Sequence, residues 1–282
     1  MVSFVGGLRG LLLLGSSLVG ALHQDGVALN SHDTADSLPL FTFNVLVTGF
    51  QPFLNVTSNP AELVAGMLSE AGAHCTTVSL RPPLSFQLCY EGMSLPVNTD
   101  GAQKVANLLE DEPYRYDAII HLGYEDSALG LRLETIAANV KADTSRAWSS
   151  EVPCDKNGTD FASIAEEAPC ILPTTAPLAS LDLKEIKTLI KLNGGGGGAV
   201  HDETWSRDAG TFYCNEIFFR TLHAIRKHSP GYLVPCMFVH LPPPDVVELP
   251  LQVKLVSFIT EAIMIGQVGL VPSPQQFQWW QR

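Results

Sequence analysis

The stretch Ala209-Gly210-Thr211-Phe212-Tyr213-Cys214-Asn215 predicts a turn that leads directly into an α-helix. Gly210 permits the turn, and Thr211 is a suitable N-cap residue. Apolar residues then recur at i, i+4 and i+7, which is the spacing of a helix that faces a core: Phe218, Leu222 and Ile225. The pattern therefore places a core helix immediately after the turn.

Cys214 falls in the first turn of this predicted helix. The unpaired backbone N–H groups and the helix dipole favour a negative charge there, and the thiolate is the nucleophilic form of cysteine. Free cysteine is also among the most buried residue types, so a structural role in the core is the alternative. This stretch alone leaves both interpretations open.

The composition allows one large domain or two, since the chain has 282 residues and a hydrophobic fraction of 46%. Its formal net charge of −12 argues against nucleic acid or an anionic membrane as a partner. A small neutral substrate is compatible with that charge.

Residues 1–21 have the pattern of a secretory signal peptide. Arg9 supplies the positive start, an apolar run follows from Leu11, and small residues suit cleavage after Ala21. An uncleaved signal anchor is the alternative, although the run is short for a membrane span. We expect no later segment to be long and apolar enough to cross a bilayer.

Export would make disulfides possible among the six cysteines. Cys154 and Cys170 flank a polar loop and are the predicted pair, while Cys75 and Cys89 could also pair. Cys236 lies in an apolar run and is expected to be buried. The sequons that begin at Asn55 and Asn157 lie in predicted loops and are expected glycosylation sites.

Alternating strand and helix patterns predict a three-layer α/β/α sandwich with a mostly parallel central sheet. The domain is expected over residues 41–270, after a linker at 22–40 and before a flexible tail at 271–282. Predicted strands cover 43–49, 75–80, 117–122, 131–140 and 237–240, with a short one near 199. Predicted helices begin at the Asn59-Pro60 and Asp100 caps, cover 181–192 and 245–265, and include the one after Thr211.

The five glycines at 194–198 do not predict a phosphate site. No Lys-Ser/Thr pair follows them, and they follow a helix rather than a strand, so both the P-loop and the dinucleotide pattern fail. They are expected to form a flexible connection.

Four possible site residues lie at or just past predicted strand ends: Phe50, Phe53, Tyr124 and His240. Ligands of such sheets gather outside the carboxyl ends of the strands, so these residues are expected to share one site. A cysteine nucleophile needs a base, and the base needs a group that orients it. His240 and Glu134 are the candidates, although a structural histidine and a solvent-facing acid are the alternatives.

Several blocks of this sequence, taken together and in order, resemble the pyroglutamyl peptidase I family of cysteine exopeptidases. The resemblance covers residues 43 to about 265. The blocks are Val47-Thr48-Gly49-Phe50-Gln51-Pro52-Phe53 with Asn59-Pro60, His121-Leu122-Gly123, Glu134-Thr135-Ile136-Ala137-Ala138-Asn139, Ala209-Gly210-Thr211-Phe212-Tyr213-Cys214-Asn215, and Val239-His240-Leu241-Pro242.

The resemblance implies that the chain removes an N-terminal pyroglutamyl residue from peptides, without a metal or cofactor. Cys214 would be the nucleophile, His240 the base and then the acid, and Glu134 the orienting carboxylate. Substrate binding would fall to an aromatic clamp, to backbone groups and to aromatic residues before the nucleophile: Phe50, Phe53, Gly123, Tyr124, Phe212 and Tyr213.

The chain departs from the family after Gly123, where the family has Gln and small residues and this sequence has Tyr124-Glu125-Asp126-Ser127. Lactam recognition could therefore differ. A non-catalytic relative that binds blocked peptide N-termini, or a thiol hydrolase with another acyl substrate, are the alternatives. The family is mostly cytosolic, so a cytoplasmic location is the alternative to secretion. The sequence leaves the oligomeric state open.

Overall fold

The structure, a computed structural model, describes residues 41–54, 56–70, 75–79, 85–142, 161–182, 184, 188 and 204–269. Several sequence predictions lie outside this part of the chain. They are the signal peptide, the linker, the tail, both sequons, the glycine run, the short strand near 199 and most of the 181–192 helix.

A seven-stranded sheet of order β10-β5-β11-β4-β1-β3-β2 forms the centre of the fold. Its four middle strands β11, β4, β1 and β3 are mutually parallel, whereas β2 and β5 join them antiparallel. The strands are β1 Phe41–Phe50, β2 Cys75–Ser79, β3 Ser85–Leu95, β4 Ala118–Tyr124, β5 Arg132–Glu134, β10 Trp205–Ser206 and β11 Cys236–Leu241. Two small ladders pair β6 Ile136–Ala138 with β9 Ile171–Pro173, and β7 Lys141–Ala142 with β8 Phe161–Ala162.

Helices cover both faces of this sheet, as the sequence predicted. The helices are α1 Pro60–Glu70, α2 Thr99–Asp111, α3 Tyr213–His228 and α4 Leu249–Gln267, with a 3₁₀ turn at Leu178–Ser180. Alternate side chains of β1 enter different cores: Val45 and Val47 pack with α1 and α4, and Leu46 and Phe50 pack with α2 and α3. The three-layer α/β/α sandwich follows from this alternation.

The helix caps confirm one sequence prediction and correct another. Asn59 caps α1, with its side-chain oxygen accepting a hydrogen bond from the backbone N–H two residues on at 3.0 Å, and Pro60 is the first helical residue. The predicted Asp100 cap of α2 is wrong, because Asn98 occupies the extended cap position and accepts from the Gly101 N–H at 2.9 Å. Both residue types can cap, so the chain's path into the helix decides between them.

Three other features differ from the sequence pattern. The single strand predicted at 131–140 is divided at Thr135, because β5 pairs with the main sheet and β6 with β9. Strand β3 was not predicted, although it pairs with β1 over ten residues. Helix α4 begins at Leu249 rather than 245, after a turn in which the Pro243 carbonyl accepts from Val246.

Helix α4 also corrects the expectation that no later segment could span a membrane. It has 19 residues and a mean hydropathy of 1.4, which satisfies the length and composition of a span. However, 61% of this apolar segment is buried within the fold, so α4 has the environment of a core helix.

Cys75 and Cys89 form a disulfide, one of the pairings that the sequence left open. They lie directly opposite each other in the antiparallel β2–β3 pair, with Cα atoms 3.9 Å apart. The predicted Cys154–Cys170 bridge is wrong, since Cys170 is a free, exposed thiol and Cys154 lies outside the described residues. Cys236 is buried in β11, as predicted.

We expect Cys75→Ser to destabilise the fold, because the bridge closes a loop with a sequence separation of 14. The loss should lower the free energy of unfolding by about 2–3 kcal/mol, as measured by urea unfolding of oxidised protein. Cys170→Ser is the control, since it removes an exposed free thiol. Equal stability of the wild type and Cys75→Ser would contradict the pairing.

Candidate active site

Cys214 is the second residue of α3 and is half-buried. The N-cap is Phe212, and the predicted Thr211 cap is wrong because the helix begins two residues after it. In the described part of the chain the Thr211 hydroxyl has no hydrogen-bond partner. Since Phe212 has no side-chain acceptor, the first N–H groups of α3 remain available beside the thiol.

Asn215 fixes the start of α3 against the segment that follows Glu134. Its buried side chain accepts from the Ala138 N–H at 2.9 Å and donates to the carbonyls of Ala138 and Val140 at 2.8 and 2.7 Å. All three bonds join the helix to residues 138–140, which are distant in sequence, so they fix the position of the residue next to Cys214.

His240 and Glu134 meet across the antiparallel β5–β11 pair. Glu134 lies opposite Phe238 in the register, two residues from His240 on the same face. His240 Nδ1 and Glu134 Oε1 are 2.9 Å apart. A carboxylate only accepts, so Nδ1 donates and the tautomer of the ring is set. The solvent-facing alternative for Glu134 is wrong, because its side chain has no exposed surface.

The pKa of His240 results from opposing effects. Burial lowers it, but hydrogen bonding and charge from Cys214 and Glu134 outweigh burial and raise the pKa to about 10. The imidazolium form is therefore favoured at neutral pH. Cys214 lines the same cavity as His240, and Glu134 is bonded to Nδ1 of the ring.

Gly123 provides room for the His240 ring. A Cβ at this position would lie 2.6 Å from the Phe238 ring and 2.9 Å from His240 Cδ2. Gly123 is also the register partner of His240 in the β4–β11 pair, so its lack of a side chain is explained by this close contact, and its role in substrate binding stays a prediction.

A cavity of about 700 Å³ opens beside Cys214 and His240. It includes every expected binding residue except Gly123: Phe50, Phe53, Tyr124, Phe212 and Tyr213. The strand-end prediction is confirmed in position, since Phe50 ends β1, Tyr124 ends β4 and His240 is the penultimate residue of β11.

Sequence reasoning missed three charged or apolar parts of this wall. They are the ion pair of Arg132 and Glu125, the acid Asp208, and the apolar pair Leu54 and Val97. Arg132 had a detectable signal, because it is two residues before Glu134 and therefore on the same face of a strand. Among the described residues, no group of three or more His, Cys, Asp or Glu side chains could hold a metal.

Comparisons with known proteins agree with this geometry. A family model for pyroglutamyl peptidase matches residues 43–266. A pyrrolidone-carboxylate peptidase from Clostridium botulinum is 27% identical over 208 residues, which is 73% of this chain and 82% of the relative.

Among solved structures, pyroglutamyl peptidase I from Bacillus amyloliquefaciens has a TM-score of 0.57 at 21% identity, and the match covers 80% of this chain and 97% of that one. The pyrrolidone carboxyl peptidase of Fervidobacterium islandicum has a TM-score of 0.53 at 25% identity, covering 79% and 98%. Since the family model spans most of the chain, this protein belongs to the pyroglutamyl peptidase family.

Proposed function

We propose that this protein is a cysteine-type peptidase that hydrolyses an N-terminal pyroglutamyl residue from peptides. One observation carries the proposal: in a chain of this family, His240 is hydrogen-bonded to the buried Glu134 carboxylate and lines the same apolar cavity as Cys214. Family membership does not favour a non-catalytic binder or a hydrolase of another acyl group.

In the first half of the reaction, Cys214 Sγ attacks the carbonyl carbon that links pyroglutamate to the next residue. His240 holds the thiol proton and donates it to the leaving amine as the C–N bond breaks. Backbone N–H groups at the start of α3 are placed to stabilise the developing oxyanion. The products are a thioester on Cys214 and a peptide shortened by one residue.

In the second half, His240 takes a proton from water, and the resulting hydroxide attacks the thioester carbonyl. The C–S bond breaks, pyroglutamate leaves, and the proton returns to the pair formed by Cys214 and His240. Glu134 keeps Nδ1 of His240 protonated throughout, so that the other ring nitrogen carries the transferred proton.

The apolar part of the cavity suits the lactam ring, because the ring is flat and uncharged. Phe50 is nearly fully buried and Phe53 half-buried, so both present aromatic surface without exposing it widely to water. Tyr124 forms part of the wall where the family has Gln. Its backbone groups are of the same kind as those of Gln, so lactam binding is expected to persist.

The substrate contrast that tests this function uses pyroglutamyl-aminomethylcoumarin against its prolyl counterpart. Proline lacks the lactam carbonyl and carries a basic nitrogen, so a site that hydrogen-bonds the lactam should reject it strongly.

We also expect Phe53→Ala to lower kcat/KM for the pyroglutamyl substrate roughly 5- to 150-fold. The lost apolar contact corresponds to about 1–3 kcal/mol of transition-state stabilisation.

Phe41→Ala is the matched control, because Phe41 is 55% exposed at the opposite end of the same strand. It should leave kcat/KM unchanged. Equal turnover of both coumarin substrates would show that the site does not select the lactam.

We also propose that the protein enters the secretory pathway. Two observations support this: the signal-peptide pattern of residues 1–21, and the Cys75–Cys89 disulfide, which suits an oxidising compartment. Glycosylation at Asn157 belongs to the same proposal.

N-terminal sequencing of protein from the culture medium should find Leu22 at or near the start. Treatment with a glycosidase should increase its electrophoretic mobility, since the glycan at Asn157 would be removed. Recovery of the chain only from the cytosol, with Met1 intact, would overturn the proposal in favour of the cytoplasmic alternative.

A further inference from the structure

The cavity at the catalytic pair has two chemically unlike halves. Above the ends of β1 and β3 its wall is apolar, with Phe50, Phe53, Leu54 and Val97. Toward β5 and β10 its wall is charged, with Arg132 on β5 and Asp208 just past β10, while Glu125, just past β4, forms an ion pair with Arg132. His240 is on β11, which lies between β5 and β4 in the sheet, so it separates these halves.

Arg132 is the cross-strand neighbour of His240. The two residues are directly opposite in the antiparallel register of β5 and β11, so their side chains leave the same face of the sheet. Opposite residues in such pairs have Cβ atoms about 4.5–5.5 Å apart. The Arg132 side chain therefore begins beside the histidine that protonates the leaving amine, and both side chains line the cavity.

Arg132 retains unused hydrogen-bond donors. Within the described residues its one ionic partner is Glu125, at 3.9 Å, which is longer than a hydrogen bond. Glu125 directs its other oxygen to Ser127, which donates from its hydroxyl at 2.7 Å and from its N–H at 3.3 Å. Since guanidinium has five N–H donors, most of them have no partner among the residues that the structure describes.

We propose that the charged half binds the leaving peptide, and that Arg132 donates to the carbonyl group of its first residue. This proposal rests on the peptidase function above. The neutral lactam occupies the apolar half, so the chain after the cleaved bond must pass His240 toward Arg132. One carbon atom separates the nitrogen that His240 protonates from that carbonyl group, so a donor beside His240 can reach it.

The interaction is strongest when that carbonyl belongs to a terminal carboxylate, because the hydrogen bonds are then charge-assisted and can be bidentate. The preferred substrates are therefore pyroglutamyl dipeptides with a free C-terminus. Without Arg132, the remaining acids Glu125 and Asp208 would repel the same carboxylate.

The test compares kcat/KM for pyroglutamyl-alanine and for pyroglutamyl-alanine amide, which differ only in the terminal charge. The wild type should prefer the free acid about 10-fold, the effect of a charge-assisted hydrogen bond at a partly exposed site. Arg132→Gln should reverse this preference. Taking the ratio within each variant cancels any general loss of activity.

Arg115→Gln is the matched control, since Arg115 pairs with Glu91 and Glu112 outside the cavity. Its preference should equal that of the wild type. A second measurement needs no variant: the wild-type preference for the free acid should decline as salt is added, because ions screen the contact.

A wild-type ratio near one, or the same ratio in Arg132→Gln, would overturn the role of Arg132. Turnover of pyroglutamyl-aminomethylcoumarin, which has no such carbonyl, separates the two proposals. If that substrate is cleaved, the failure concerns Arg132 alone. If neither it nor the dipeptides are cleaved, the peptidase function fails as well.

Discussion

The hydrogen bond between His240 Nδ1 and Glu134 Oε1 is the interaction on which the site depends. Glu134 is fully buried, and within the described residues its second carboxylate oxygen has no partner. A buried charge of this kind needs compensation, and the ring of His240 supplies it. The antiparallel β5–β11 pair holds both residues on one face of the sheet, so the same register that buries the carboxylate also brings it to the imidazole.

A second buried histidine shows how strongly neighbours decide the charge. His121 hydrogen-bonds the hydroxyls of Thr48 and Thr221 at 2.8 and 3.0 Å, and burial lowers its pKa to about 3. His121 is therefore neutral, and its two hydrogen bonds connect β4 to β1 and to α3. His240 is almost as buried, yet its carboxylate and thiol neighbours raise its pKa to about 10. The two histidines therefore differ in charge because one has hydroxyl partners and the other has ionisable partners, although both are buried.

Sequence patterns predicted the features that depend on local periodicity. The layers of the sandwich, the Asn59 cap and the strand ends at Phe50 and Tyr124 follow from apolar runs and turn residues. Features that depend on distant partners were missed: the choice of cysteine pair follows from the β2–β3 register, and the division of 131–140 follows from two different partner strands. Arg132 was also missed: its spacing from Glu134 indicated a shared face of the strand, but its position opposite His240 depends on the sheet register.

The most direct measurement of the central claim is an NMR titration of the His240 ring in the wild type and in Glu134→Gln. Cys214 and the buried Glu134 carboxylate together should keep the wild-type ring protonated well above pH 8, with a pKa of about 10. Glutamine preserves the shape but removes the charge, so it should lower that pKa by about 1–3 pH units. A wild-type ring that titrates near pH 6.5, or a pKa that Glu134→Gln leaves unchanged, would contradict the account.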